Sequence, residues 1–146
     1  NPSIRASIWA WCTQLDGYSP EEVRGYLDSI AVLAAEFPNV TFVYMTGNAQ
    51  ATGDDGFNRA QRNEQIRQYC EEHGQLLFDF ADLDCWWFNP ASGQWEDSNY
   101  DQSGSWVPVE HPRFHGDEAG HTTYESCEQK GRAFWWLMAR IAGWSG

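Results

Sequence analysis

Basic side chains are scarce in this chain: nine Lys and Arg stand against 21 Asp and Glu, giving a net charge of −12 over 146 residues. A surface so negative repels nucleic-acid phosphates and anionic lipid headgroups, so neither is expected as a partner. Neutral or cationic partners suit it, and cations can bind locally. Long apolar runs are missing too. No window reaches the roughly 18 consecutive apolar residues that a spanning helix needs, so no membrane insertion is expected. No signal peptide is visible, and the chain opens at Asn1-Pro2, which reads as a mature, processed or excised polypeptide. C-x-x-C spacing is absent among Cys12, Cys70, Cys85 and Cys127. A zinc ribbon is therefore not expected, and an even cysteine set points instead to two disulfides in a secreted or extracellular protein, the periplasm included. The alternative is four buried free thiols. Asn39-Val40-Thr41 is a glycosylation sequon, which matters only in a eukaryotic host.

What the chain has in abundance is aromatic surface, with nine Trp. Its organising stretch is Val40 to Asn48. The first six residues are β-branched, aromatic or otherwise apolar and uncharged, as in a strand buried on both faces. Gly47-Asn48 then ends it in a sharp turn. Upstream, Ile4 to Cys12 reads as a first strand, with Ile8, Ala10 and Cys12 on one face and Trp9 and Trp11 on the other. Ser19-Pro20-Glu21-Glu22 announces a helix with a capping box. Its inward stripe is Val23, Tyr26, Leu27, Ile30, Leu33, Ala34 and Phe37. After a small-residue loop over 49–56, a second helix runs from about Phe57 to His73, with Phe57, Ala60, Ile66, Tyr69 and Cys70 inward and Gly74 as its stop. Gln75 to Phe80 is a third strand.

This alternation predicts one α/β domain over 1–146, built on a short three-stranded parallel sheet with right-handed crossovers and flanking helices. Ligands in such sheets sit beyond the carboxyl ends of the strands. Residues 81–126 show no sustained period and read as a long, aromatic, irregular region, functional rather than disordered. A last helix, about Glu128 to Ala142, carries Phe134, Leu137, Met138 and Ile141 inward. Trp135 and Trp136 point two ways, one to the core and one to a neighbour. No internal repeat is visible.

Three groups of residues carry chemistry. Glu110 to His121 packs three histidines beside carboxylates. Glu118 or Asp117 paired with His121 makes a general base, because a carboxylate fixes the tautomer and stabilises the imidazolium. The same stretch could hold a transition metal through His111, His115 and His121, or be a polar surface loop. Asp97, Asn99 and Asp101 alternate like the start of a calcium loop, although Gln102 stands where such a loop has Gly; an Asx-rich turn is the plainer reading. Trp86, Trp87, Trp95 and Trp106 could form a platform for sugar rings of a glycan or polysaccharide, or pack as a lid over the sheet.

The strand at 40–48, the helix segment Arg-Asn-Glu-Gln-Ile-Arg-Gln-Tyr-Cys at 62–70, Leu-Phe-Asp-Phe-Ala-Asp at 77–82 and the closing Cys-x-x-Lys-Gly-Arg-Ala-Phe-Trp-Trp-Leu-Met-Ala-Arg-Ile-Ala-Gly-Trp at 127–144 resemble the C-terminal part of an SGNH-type, GDSL-like hydrolase. The resemblance implies an incomplete flavodoxin-like sheet supplying the last three of five strands. It implies His121 as the base of a Ser-His-Asp triad, with Glu118 where the family has Asp and Asp117 one residue off. Gln14 is the amide nearest the position of the family's oxyanion-hole Asn. No Gly-Asp-Ser nucleophile block occurs anywhere in the chain. The implied function is that of a carbohydrate-esterase remnant with no required cofactor. The alternative is a non-enzymatic secreted protein that binds glycan or assembles. In either case strand 4–12 is an edge, open to pairing with a copy of the chain or another protein.

Overall fold

The computed structural model describes residues 4–146, so the opening Asn1-Pro2 lies outside it. Strand β1 (Ala6–Ile8) is followed by a 3₁₀ turn at Thr13–Gly17 and helix α1 (Pro20–Glu36). Then come β2 (Thr41–Met45), α2 (Gly53–His73) and β3 (Leu76–Phe78). The three strands form a parallel sheet in the order β1-β2-β3, with Ile8 opposite Val43 and Met45 opposite Phe78. The fold is α/β, as the alternation of strand and helix patterns predicts.

Strand β2 is the hub, and its alternating side chains divide the core in two. Tyr44 points into one layer with Leu15, Val23, Leu27, Ile30, Ile66 and Cys70, from the 3₁₀ turn, α1 and α2. Val43 and Met45 point into the other, where Phe78, Leu83 and, from the last helix, Ala133, Leu137 and Ile141 pack. Each fully buried aliphatic side chain contributes roughly 1.5–3 kcal/mol. Helix α1 starts as its sequence dictates. Ser19 Oγ accepts from the Glu22 N–H (3.2 Å) and Glu22 returns the bond to Ser19 N–H (2.8 Å).

The first strand is shorter than the 4–12 expected. Beyond Ile8 the chain turns so that Trp11 packs edge-on against Tyr18 and tilted against Tyr26, at ring separations of 5.5 and 4.2 Å, and sheet pairing gives way to aromatic packing. Among the described residues, β1 remains an edge, bonded only to β2. The Arg5 carbonyl accepts from Thr41 N–H (2.9 Å), so by strand alternation Ala6 and Ile8 turn their backbone groups to the open side.

The region 81–126 is a correction. It holds α3 (Phe80–Cys85), an antiparallel hairpin of β4 (Trp86–Asn89) with β5 (Gln94–Asp97), and a second of β6 (Asn99–Gln102) with β7 (Ser105–Pro108). Burial alternates along β4 and β6, but exposed Trp86 and Phe88 flank buried Trp87 and β5 is exposed throughout, so apolar and polar residue types do not alternate as they do where a strand betrays itself in sequence. The second hairpin meets α2 at Gly56, where a Cβ would stand 2.3 Å from the Ala51 carbonyl oxygen and 2.6 Å from the Tyr100 hydroxyl.

Helix α4 (Tyr124–Ile141) begins four residues before the expected start, because Thr123 caps it, its hydroxyl accepting from Ser126 N–H at 3.3 Å. Trp135 and Trp136 are both exposed rather than divided between core and surface; Trp135 lies near Trp144 (6.4 Å) and Arg140 covers Trp136. All four cysteines are free. Cys12 and Cys127 are exposed, whereas burial pushes the Cys70 and Cys85 thiols up to about 11 and about 12. The expected disulfides are not formed, nor are all four thiols buried.

Candidate functional site at the carboxyl end of the sheet

The loop leaving β2 is held from below by buried polar side chains. Thr46 Oγ1 donates to Asp79 Oδ1 and accepts from Ala81 N–H, both at 2.9 Å. Asp79 is in turn clamped by Arg67 at 2.6 and 3.0 Å. Gly47 N–H donates to Asn63 Oδ1 (2.8 Å), and Arg59 donates to the Ala51 carbonyl (3.0 Å). Asp84 does the most: Oδ2 accepts from Ala49 N–H (2.9 Å) and Oδ1 pairs with Lys130 Nζ (2.5 Å), which also donates a short hydrogen bond to Ser126 Oγ. Burial raises the Asp84 carboxyl above its usual range, with Lys130 opposing. Lys130 also lies over the Phe80 and Phe114 rings, at 4.8 and 5.4 Å. With Asp84 and Ser126 fully buried, this network is a scaffold rather than a reaction centre.

Above it lies a second polar tier. Gln50 Nε2 donates to Glu110 Oε1 (3.3 Å) and to the His121 carbonyl (2.9 Å), tying the 109–123 segment to the end of β2. Glu110 N–H donates to the Ala49 carbonyl (2.7 Å). The Glu110 carboxylate is buried, and His115 Nε2 stands 3.8 Å from its Oε2, at charge-pair rather than hydrogen-bond distance. Burial, then the nearby Asp84 charge, raises the Glu110 carboxyl.

His121 occupies the crest of this tier at a positive φ of 66°, exposed to solvent. Neither expected partner reaches its ring. Asp117 Oδ1 accepts from the His121 backbone N–H (3.2 Å), and Glu118 Oε2 accepts from Tyr124 N–H (2.9 Å). Among the described residues, no carboxylate lies within 4.0 Å of the His121 imidazole nitrogens, and the carboxylate that does approach a histidine here is Glu110, toward His115. Asp117 and Glu118 shape the turn because backbone N–H groups left open by the bend outcompete a side chain free to face water. Gln14 is likewise engaged locally, its Oε1 accepting from Cys12 N–H at 3.0 Å.

The histidines do not converge. His111 Nδ1 accepts from Arg113 N–H (3.2 Å) while its ring stacks on Trp87 (5.4 Å), and burial lowers its pKa. Among the described residues, no group of three or more His, Cys, Asp or Glu side chains is placed to hold a metal ion. The alternating Asp97, Asn99 and Asp101 are spent on each other and on a turn. Asn99 donates to Asp97 Oδ2 (2.6 Å), and Asp101 Oδ1 accepts from Gly104 N–H (2.8 Å). Asp101 thus closes the turn between β6 and β7.

The four tryptophans separate as well. Trp87 is buried, with its Nε1 donating to Glu125 (2.7 Å) and Arg113 over its ring. Trp95 packs edge-on against Phe88 and stays exposed. Trp86 lines a different hollow, beside Arg67 and Asp97. Trp106, on β7, is 76% exposed. Trp87 and Trp95 share a groove.

Sequence reasoning passed over Gln50, Asn63, Asp84 and Lys130 altogether. A signal was there for Asn63: Gly56, Arg59, Asn63, Ile66 and Cys70 recur at three and four along α2 and are its buried face. Compared with protein-family models the chain matches none, and a search of curated proteins finds no significant match.

Proposed function

We propose that this chain is an SGNH-hydrolase-like domain of a secreted protein, carrying the acid–base side of a site for cleaving acyl esters from polysaccharide. The supporting observation is the Gln50 bridge. It fixes the His121 turn over the carboxyl end of β2, where open α/β sheets bind ligands, and leaves the imidazole accessible and unpartnered. His121 is the proton acceptor in this reading. Glu110 stands nearby with His115 beside it, while Asp117 and Glu118 hold the turn. The chain has no Gly-Asp-Ser block, so an attacking hydroxyl comes from elsewhere, and the natural point of entry is the open side of β1.

Hydrolysis of an aryl acetate by the chain and by His121→Ala tests this. An aryl ester is reactive enough for an imidazole to attack it or to activate water, so the assay does not depend on a serine. Turnover that falls at least about ten-fold in the variant supports the reading. Turnover that is absent, or equal in the variant, removes it.

A second reading is non-enzymatic assembly by strand addition at β1, supported by the outward backbone groups of Ala6 and Ile8. Light scattering should then give a mass above that of one 16.7 kDa chain, reverting to it in Ala6→Pro, which deletes an outward N–H.

A further inference from the structure

We infer that the groove between the β4–β5 hairpin and α4 is a binding site for an uncharged oligosaccharide, independently of any ester chemistry at His121. Its volume, about 500 Å³, is that of a ligand cleft, and its walls are Trp87, Phe88, Pro90 and Trp95 on one side and Glu125, Glu128, Gln129 and Arg132 on the other. Every residue of β5 is exposed, so this strand shields none of the core, and the contact of Trp95 is with its cross-strand partner Phe88. Trp95 is 56% exposed and Phe88 43%, with ring centroids 5.5 Å apart. Paired aromatic faces left in water beside a polar rim mark a surface that meets a ligand.

The rim says which ligand. Glu125 Oε1 is taken by the Trp87 indole N–H, whereas its Oε2 has only Arg113, at 3.9 Å. Glu128 Oε1 is taken by Arg132 (2.6 Å). Gln129 spends its NH₂ on the Leu83 and Trp86 carbonyls (3.0 and 2.7 Å), which fixes the amide and leaves its oxygen as an acceptor. The α4 wall therefore offers acceptors beside the Arg132 guanidinium, and the other wall offers rings. A sugar presents that complement: hydroxyl donors around its edge and C–H groups on its face. An apolar peptide would strip water from Glu125 and Glu128 without replacing it. An anionic glycan would meet those carboxylates and a net charge of −12. The site is also held rigid, since Gln129 and Glu125 pin the hairpin to α4 at both Trp86 and Trp87.

Affinity electrophoresis in native gels containing hydroxyethylcellulose or soluble xylan tests the inference. The chain should be retarded by at least one of these neutral polymers, and Trp95→Ala should weaken that association about ten-fold or more, with its circular dichroism and thermal melt unchanged. Glu128→Gln keeps an acceptor and should retain binding, which separates hydroxyl recognition from charge. The inference fails if neither neutral polymer retards the chain, or if Trp95→Ala is retarded equally. It also fails if only cationic chitosan or anionic polygalacturonate binds. His121→Ala should leave the retardation intact whatever it does to ester hydrolysis, so the two readings stand or fall separately.

Discussion

Two polar tiers lie one above the other at the carboxyl end of the sheet, and they obey different rules. In the lower tier, Asp84, Lys130, Asn63 and Thr46 are buried, and their polar atoms reach partners fixed by the fold. In the upper tier, Asp117, Glu118 and His121 are surface residues whose carboxylates cap the backbone of their own loop. Burial makes a missing partner costly, so the lower tier determines geometry. Water is a ready substitute above, so the upper tier is free to do chemistry. The difference shows why a cluster of reactive residue types in sequence is a poor guide to which of them touch.

The contrast can be broken most sharply at Lys130. Lys130→Met leaves Asp84 charged and unpaired and should cost about 3–5 kcal/mol in urea unfolding. Replacing Asp84 by Asn as well keeps an acceptor for the Ala49 N–H without the charge and should recover much of that loss; a cost below about 1 kcal/mol for the single variant would mean the pair is not what fixes the β2 loop. Next in size, Asn63→Ala orphans the Gly47 N–H and should destabilise by about 1–3 kcal/mol by the same measurement.

Glu110 joins the tiers and should behave as neither. Its folded pKa is raised, so its contribution to stability is complete below the unfolded value and is lost as pH rises through the folded one. Glu110→Gln keeps the acceptor for Gln50 but does not ionise. It should match the parent in acid and be the more stable of the two at neutral pH, which melting curves across that range would reveal. Smallest of all, His121→Ala should shift stability by no more than about 0.5 kcal/mol. A large loss there would place His121 among the structural residues and erase the distinction between tiers.

The strand–helix alternation was legible because β2 is buried on both faces and α1 is amphipathic with a complete capping box. The hairpins were not, since exposed strands need no apolar alternation. Of the residues expected on the inward face of α2, Ile66, Tyr69 and Cys70 do face the core and Phe57 is exposed, while Arg59 and Asn63 share the buried face unexpectedly; polar residues at helical spacing look like a solvated face until the loop they hold is known. The Glu118-x-x-His121 spacing was legible as a motif, but its contacts were not. Whether a carboxylate turns to an imidazole or to a backbone N–H depends on the bend between residues 115 and 123, which no periodicity encodes. Glu110 and His115 lie five apart and meet only because Gln50, sixty residues earlier in the chain, anchors Glu110.

Lys130 is the only lysine in the chain, and it is folded away against Asp84. An acylating reagent that seeks side-chain amines therefore finds no ready target on the intact molecule. Uptake of a single such label becomes a clock for the opening of the interior, and any support that captures proteins through lysine would select the molecules that have already come apart.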